Sequence, residues 1–298
     1  MKLSACACLL FLAAHFGTGC VRAADAPPQA VTFVLPQASV LFSEAYLAED
    51  LGLWKKRGVD ARIIVVTGVG SITAIISGSA EFGITSATSL LRAAAKGQRL
   101  LAIASVSDRS LIEIVLRRDI AAAAGFDPEE IRLAIMPVTS MRAALETRQI
   151  DGYAAAMPFP TMAVRAGTGV MVASGPDGEP ADIVPLGFGL LVTRPETCEK
   201  RKMLCRAVAG AFADAAAFMK EHPAEALASM QRRFPEMSGD IVALVFDAVV
   251  KATPVPPLIS RIYLENADRF NIESGLMDAA DRLPSYDGLY TDEFVRGN

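Results

Sequence analysis

The stretch VVTGVGSITAIISGSAEFGITSATSLL, residues 65–91, decides the fold. Its pattern predicts the end of an apolar strand, a Gly-Ser loop, a short apolar helix, a second short strand and a Ser-Thr loop. Both loops fall where a strand passes into a helix. Backbone N–H groups and hydroxyls at such a helix start suit a small ligand. Ordinary strand-to-helix turns use the same residue types, so the stretch points to a binding site only together with the rest of the chain.

The residues before this stretch predict a strand, a helix and a second strand. Val31–Leu35 reads as a buried strand, and a helix over 43–56 carries an apolar face and ends at Gly58. Residues 59–66 return as a strand. A strand-helix-strand unit of this spacing makes a parallel sheet.

After residue 91 the α/β pattern continues and then changes at Asp119. Leu133–Met136 is predicted to be a strand, and Thr139-Ser140 is predicted to cap the next helix. The chain after Pro195 is predicted to be helical, except for the closing segment from Ile272, which lacks apolar periodicity and is predicted to wrap the surface. The other predicted elements are strands at 100–106, 112–117, 150–157, 170–173 and 186–192, helices at 89–96, 141–147 and 161–166, and a loop with a short helical turn at 121–130.

The first residues indicate an export signal. Lys2 supplies the charge, residues 3–16 supply the apolar segment, and cleavage is expected after Ala23. The alternative is a lipoprotein-type site at Cys20, although Gly17 stands where such sites usually carry Leu. We therefore expect a periplasmic protein whose mature chain begins near Ala24.

Length and charge narrow the class of protein. About 275 residues remain after the leader, which is comfortable for two domains. The formal net charge is −4, and the loss of Lys2 and Arg22 with the leader leaves −6. An acidic, evenly mixed surface argues against nucleic acid and anionic membranes as partners.

Two of the five cysteines remain after the leader is removed. Cys198 and Cys205 form an even pair in an oxidising compartment, so we expect a disulfide; the alternative is two free thiols. On one continuous helix their Cα atoms would lie about 10 Å apart, which is too far for a disulfide. Cys198 is therefore expected in a turn that folds back on the helix start.

The order of several short motifs resembles a known family. It is similar to the extracytoplasmic solute-binding proteins of ATP-driven importers, specifically the nitrate/sulfonate/taurine group, which also contains thiamine-pyrimidine binders. The similarity covers nearly the whole mature chain, and no single motif is diagnostic. The residues that carry it are 48–54 (AEDLGLW), 58–60 (GVD), 68–71 (GVGS), 77–83 (SGSAEFG), 149–151 (QID), Met157-Pro158 and the C-terminal helices.

The resemblance implies a two-lobe periplasmic binding protein fold of type II. The fold class would be α/β, each lobe a mostly parallel sheet flanked by helices, with the ligand cleft between the lobes. The expected segments are a signal peptide at 1–23, the first lobe at 24–117, a second lobe at 118–188, and the return to the first lobe with the C-terminal helices at 189–298.

Two departures from the family pattern concern the second lobe. Residues 117–119 (RRD) run almost directly into 121–128, where family members carry a further strand, a Gly-Ser loop and most of a helix. The second lobe is therefore expected to be shortened and to lack one ligand loop. Arg148 also replaces the Gly that usually precedes Gln-Ile-Asp.

Catalysis has little support in the residues. His222 is the one histidine outside the leader, so a Ser/His/Asp triad, a Cys/His pair or a His/Cys metal site would lack partners. The pyrimidine-synthesising relatives need an iron site and a His donor. We expect no enzyme activity, no cofactor and no metal.

What remains is ligand binding at loops that follow strands, as the resemblance implies. Arg109 and Arg142 could supply positive charge or form surface ion pairs. The candidate ligand-binding residues are Gln37, Ala38, Ser39, Gly70, Ser71, Thr85, Ser86, Thr88, Ser105 with Ser107 as its alternative, Thr139, Ser140, Met157 and Pro158.

The expected function is capture of a small anionic or heterocyclic solute, such as nitrate, a sulfonate, taurine or a pyrimidine. The partners would be that ligand and the membrane permease of an ABC importer, the protein being a monomer. Two alternatives stay open: a sensor or degenerate binding protein that kept the fold and lost transport, and an enzyme of the pyrimidine-synthase type.

Overall fold

A computed structural model describes residues 27–68, 70–121 and 130–296 of the chain. Within these residues the architecture is α/β, with two sheets flanked by helices, as predicted. The expected leader, the lipidation site at Cys20 and most of the turn expected at 121–130 lie outside the described residues.

The strands and helices of the described residues are short, apart from the C-terminal helices. The strands are β1 Gln29–Leu35, β2 Val59–Val65, β3 Phe82–Thr85, β4 Leu101–Ser107, β5 Ile112–Arg117, β6 Gly152–Ala156, β7 Gly169–Ser174 and β8 Gly189–Thr193. The helices are α1 Ser43–Asp50, α2 Leu53–Lys56, α3 Gly70–Ser77, α4 Ala87–Ala95, α5 Arg118–Ala121, α6 Val138–Glu146, α7 Phe159–Arg165, α8 Pro195–Lys200, α9 Lys202–Glu221, α10 Pro223–Arg233, α11 Gly239–Ala252, α12 Arg261–Glu273 and α13 Glu293–Arg296. Short 3-10 helices cover Val40–Phe42, Gly175–Asp177, Ala181–Ile183 and Ala279–Asp281. No helix in the described part of the chain has the length and apolar content that crossing a membrane requires.

The first sheet has the strand order β2-β1-β3-β8-β4. Strand β1 lies parallel to both β2 and β3. Its pairing with β2 runs from Gln29 opposite Val59 to Leu35 opposite Val65. Strand β8 runs antiparallel between β3 and β4. The parallel strands result from the strand-helix-strand units predicted from the sequence, because a helix returns the chain to the same end of the sheet.

Apolar side chains cover both faces of the first sheet. On one face, the ring of Phe33 lies 5.5 Å from the rings of Trp54 and Phe212, which joins β1 to α2 and α9. On the other face, Ile75 and Leu90 place α3 and α4 against the sheet, and α12 packs on α4. A sheet covered on both faces reads as continuous apolar strands, which is why Val31–Leu35 carries no polar alternation after Thr32.

The second sheet has three strands in the order β6-β5-β7, and both pairings are antiparallel. This corrects the mostly parallel sheet expected for the second lobe. Among the described residues, α6 and α7 pack against one face of this sheet, at Val115 and Tyr153. On the opposite face, Ile112 and Ile114 are each about 40 % exposed.

Strand β5 belongs to the second sheet, whereas the sequence-based boundary placed residues 112–117 in the first lobe. The chain passes from the first sheet to the second between Ser107 and Ile112. The chain returns through residues 184–188, and the two crossing segments are joined by backbone hydrogen bonds. Leu186 N donates to Asp108 O at 2.7 Å, and Phe188 N donates to Ser107 O at 3.1 Å.

The strand predicted at Leu133–Met136 is wrong, because residues 131–137 have no regular secondary structure and pair with no strand. Leu133 and Ile135 are fully exposed. The apolar residues suited a buried strand, but no strand of the described residues pairs with them.

The expected disulfide joins Cys198 to Cys205, with Cα atoms 5.6 Å apart. Cys198 lies on the short helix α8 and Cys205 on α9, and the chain bends between them at Arg201. The break in helix direction predicted from the spacing is confirmed, although Cys198 sits in a short helix instead of a turn. Both sulfur-bearing residues are buried.

Candidate functional site

A cavity of about 470 Å³ lies between the two sheets, at the C-terminal ends of β1, β3 and β4. This volume falls within the range of pockets that hold small molecules. Its polar side chains all come from the first lobe: Gln37, Ser71, Thr85, Ser86, Ser89 and Ser107. Its apolar lining consists of Pro36, Leu41, Phe42, Ile72, Ile84, Val106, Leu111 and Phe188, with Ile112 and Ala156 from the second sheet.

The start of helix α4 forms one wall of the cavity. The chain leaves β3 at Thr85, and Ser86 takes an extended conformation whose side chain accepts the backbone N–H of Ser89 at 3.2 Å. A Ser at this position replaces one of the hydrogen bonds that a helix start lacks. The positive end of the α4 dipole therefore faces the cavity.

The start of helix α3 forms a neighbouring wall. The hydroxyl of Ser71 donates to Gly68 O at 2.9 Å, and both residues line the cavity together with Ile72. Gly68 adopts a φ of +63°, a conformation that glycine takes at no steric cost. Two helix starts thus converge on one cavity, as the two Gly-Ser-Thr loops of the sequence suggested.

The loop after β1 closes a third side. Gln37 lines the cavity, whereas the side chain of Ser39 accepts the N–H of Leu41 at 3.3 Å and so begins the Val40–Phe42 helical turn. That turn carries Leu41 and Phe42 to the cavity wall. One loop therefore supplies an amide and two apolar side chains.

The described residues that line the cavity carry no charged side chain. Arg109 forms an ion pair with Asp108 at 3.3 Å, and Arg142 forms one with Glu146 at 3.6 Å, so neither faces the cavity. The cavity's polarity comes from hydroxyls, one amide and helix starts.

Four predicted ligand residues line the cavity: Gln37, Ser71, Thr85 and Ser86. Ser107, the alternative to Ser105, lines it as well. Ser105 is buried, and its hydroxyl has no hydrogen-bond partner among the described residues.

The other predicted residues lie outside the cavity lining. Thr88 contacts a lining residue, since its hydroxyl lies 2.7 Å from that of Ser86. In the second lobe, Met157 is buried and Pro158 precedes helix α7. The remaining residues outside the lining are Ala38, Ser39, Gly70, Thr139 and Ser140.

Ser89 and all of the apolar side chains in the cavity wall were not among the predicted residues. Ser89 stands three residues after the cap Ser86, which is the spacing that returns a helix residue to the same face, and this signal was available. Phe42 and Phe188 gave no such signal, because an apolar residue at a cavity wall has the same sequence pattern as a core residue.

A second hollow of about 370 Å³ lies on the second lobe, away from the cleft. Arg117 at its edge is paired with Asp119 at 2.6 Å and Asp151 at 3.0 Å. The Asp119 partner raises the pKa of Arg117 and is itself held at a lowered pKa. The other residues that line this hollow are Arg118, Leu145, Glu146, Arg148 and Thr168.

No group of three or more His, Cys, Asp or Glu residues in the described part of the chain could hold a metal ion. His222 is half-exposed and lies 3.6 Å from Glu225, at the start of α10.

Comparison with known proteins identifies a family and a fold. A family model described as the NMT1-like family matches residues 36–233. No curated protein matches the sequence. An alkanesulfonate-binding protein SsuA from Xanthomonas axonopodis pv. citri, bound to MOPS, is 16% identical with a TM-score of 0.64, covering 89% of this chain and 97% of that chain.

Two further solved structures are similar over nearly the whole chain. The ligand-binding component of an ABC-type import system from Staphylococcus aureus, with zinc bound, has 16% identity, a TM-score of 0.69 and coverage of 90% of this chain and 98% of that one. The periplasmic nitrate-binding protein NrtA from Synechocystis PCC 6803 has 11% identity, a TM-score of 0.67 and coverage of 91% and 88%. At such low identity these similarities establish the fold, which is that of periplasmic binding proteins.

Proposed function

Since this chain belongs to the NMT1-like family, we propose that it is the substrate-binding component of an ABC importer and captures a small solute in the cavity between its sheets. The single observation that carries the proposal is the cavity itself. It lies between two sheets joined by two crossing segments, and hydroxyl-bearing helix starts face it.

The chemistry of the cavity favours a small ligand with a polar end and an apolar body. Two helix starts and several hydroxyls can bind oxygen atoms that carry partial or full negative charge. The apolar side chains around them, Phe42 and Phe188 among them, can cover a short carbon skeleton. Alkanesulfonates, taurine, nitrate and small heterocycles are the classes to be tested.

The proposed mechanism is hinged closure without a covalent step. Ile112 and Ala156 bring the second sheet to a cavity whose polar groups belong to the first lobe. A ligand that contacts both sides binds the closed arrangement more tightly, and this difference in affinity shifts the population toward closure. The closed form would then be accepted by a membrane permease. We propose that the mature protein acts as a monomer in the periplasm.

A thermal-shift panel on residues 24–298 tests the proposal. The panel contains nitrate, taurine, alkanesulfonates, bicarbonate, aromatic acids, pyrimidines, flavins and zinc. A ligand at 100 times its Kd stabilises the folded state by about 2.7 kcal/mol, which corresponds to roughly 5 °C for a chain of this size. One class should produce such a shift.

Matched variants tie the shift to the cavity. Ser86→Ala and Gln37→Ala should reduce the ligand-induced shift, and Ser140→Ala, on the exposed start of α6, should leave it unchanged. Ser86→Ala also removes a helix cap, which costs about 1 kcal/mol of stability. The comparison therefore uses the difference between the midpoints with and without ligand, and not the midpoint itself. A shift that survives in both cavity variants would contradict binding at this site.

A second candidate function is a sensor that kept the fold and lost transport. The observation that favours it is the exposed side chain of Ile114 on the second sheet, outside the cavity lining. A well-folded protein that gives no shift with any member of the panel would favour this candidate over the importer.

A further inference from the structure

The hydroxyl of Ser89 occupies an unusual position in the cavity wall. It accepts a hydrogen bond from Arg92 Nη2 at 3.2 Å and another from the hydroxyl of Ser86 at 3.1 Å. A serine oxygen has two lone pairs and one proton. With both lone pairs occupied, the Ser89 proton is left to donate, and Ser89 lines the cavity.

The neighbouring hydrogen bonds support this direction of donation. Ser86 Oγ accepts the N–H of Ser89 and gives its own proton to the Ser89 oxygen. Thr88, whose hydroxyl lies 2.7 Å from Ser86 Oγ, must then be the donor of that pair. The donations run from Thr88 to Ser86 and on to Ser89.

No ion pair joins Arg92 to a carboxylate in the described ranges, and its Nε is buried without a hydrogen-bond partner there. Arg92 does not line the cavity, so its charge can act on a ligand in two ways: through the hydrogen bond to Ser89 and through its electrostatic field. Hydrogen bonds polarise one another in such chains, so a cation behind Ser89 makes its proton a stronger donor.

We propose that Arg92 is a positioning residue that sets the charge preference of the cavity by fixing the Ser89 hydroxyl as a donor toward a ligand oxyanion. This inference rests on the proposed binding function and assigns a specific role to two residues within it. The same geometry gives a neutral ligand of equal shape less benefit, because a negative oxygen gains more from a polarised donor than a neutral one does.

Two pairs of probes separate charge from shape: ethanesulfonate with ethyl methyl sulfone, and benzoate with benzamide. Titration calorimetry gives the ratio of the two Kd values within each pair. The wild-type protein should bind at least one anion more tightly than its neutral partner. Arg92→Met keeps the length of the side chain and removes the charge, and it should reduce that ratio about tenfold.

Four further variants make the result specific to the Ser89 contact. Arg92→Lys should retain most of the ratio, and Arg99→Met, which removes the same charge from an exposed position, should leave it unchanged. Ser89→Ala should reduce the ratio as Arg92→Met does. The double variant Arg92→Met/Ser89→Ala should reduce the ratio little more than either single change, because both changes interrupt the same series of hydrogen bonds.

The outcomes distinguish this inference from the function on which it rests. A wild-type ratio near one, or a ratio that Arg92→Met does not change, overturns the role of Arg92 even if the ligand panel shows binding. Equal losses in Arg92→Met and Arg99→Met also overturn it, because net charge alone would then explain the effect. Thermal midpoints without ligand identify any variant that has merely lost its fold.

Discussion

Replacing Glu44 by Gln is expected to remove a large pH dependence of stability. Glu44 lies on α1 and is fully buried, and its Oε1 lies 2.8 Å from the hydroxyl of Thr253 on the neighbouring helix end. That hydroxyl also lies 2.8 Å from Val249 O, and its one proton can be donated only once. A protonated Glu44 satisfies both contacts, by donating to Thr253 while Thr253 donates to Val249.

The burial of Glu44 gives the sign and the size of the effect. Desolvation raises the pKa of Glu44 from 4.5 to about 7, against the opposing hydrogen bonds and the charge of Lys220. Between pH 4.5 and pH 7 the folded protein keeps this proton and the unfolded chain loses it. Stability therefore falls as the pH rises through this window, by about 3 kcal/mol in total.

Urea unfolding between pH 4.5 and 8.5 measures this contribution. Glu44→Gln keeps a donor for Thr253 and carries no charge, so it should be more stable than the wild type by up to about 3 kcal/mol at pH 8.5 and similar to it near pH 4.5. Glu236→Gln, at an exposed position, is the matched control and should follow the wild-type curve. Parallel curves for the wild type and Glu44→Gln, or a Gln variant that is less stable at pH 8.5, would refute the reasoning.

Three further predictions concern stability and are checked by urea unfolding at pH 7. Cys205→Ser should lower the free energy of unfolding by about 2.5 kcal/mol, the entropy of closing so short a loop, and reduction of the wild-type Cys198–Cys205 bond should give the same loss. Phe212→Ala should cost about 3–5 kcal/mol because it opens a cavity beside the Phe33 ring; a loss below 1 kcal/mol would contradict this packing. Gly83→Ala should cost about 1–3 kcal/mol, since a Cβ there would lie 2.7 Å from Val34 Cγ1 and from Val34 O, and an unchanged midpoint would contradict that close approach.

The first sheet and its helices could be predicted from the sequence because their signals are local. The run Val31–Leu35 and the stop at Gly58 each depend on a few adjacent residues. The cysteine spacing of seven also sufficed, since a continuous helix could not bridge Cys198 and Cys205. Local geometry decided all of these features.

The second sheet could not be predicted in the same way. Antiparallel pairing of β5 with β6 and β7 depends on contacts between residues that lie far apart in the chain. The apolar pattern of Leu133–Met136 is that of a strand, yet a strand forms only where a partner edge is available. Sequence patterning alone does not show which edges are occupied.

The polar half of the site could be predicted and the apolar half could not. Ser71 and Ser86 stand at helix starts, and helix starts can be recognised from the sequence. Phe188 lines the cavity only because the return crossing passes beside β4, where its N–H reaches Ser107 O. Such a contact follows from the path of the chain between the lobes.

The central claim is that the cavity between the sheets binds the ligand. Hydrogen–deuterium exchange of the mature protein, with and without the panel ligand that gives the largest thermal shift, tests it most directly. Protection is expected to increase at residues 68, 70–72, 84–89 and 186–189, which line the cavity or adjoin it. Protection confined to the hollow around Arg117, Arg148 and Thr168, or no change in exchange despite a thermal shift, would contradict it.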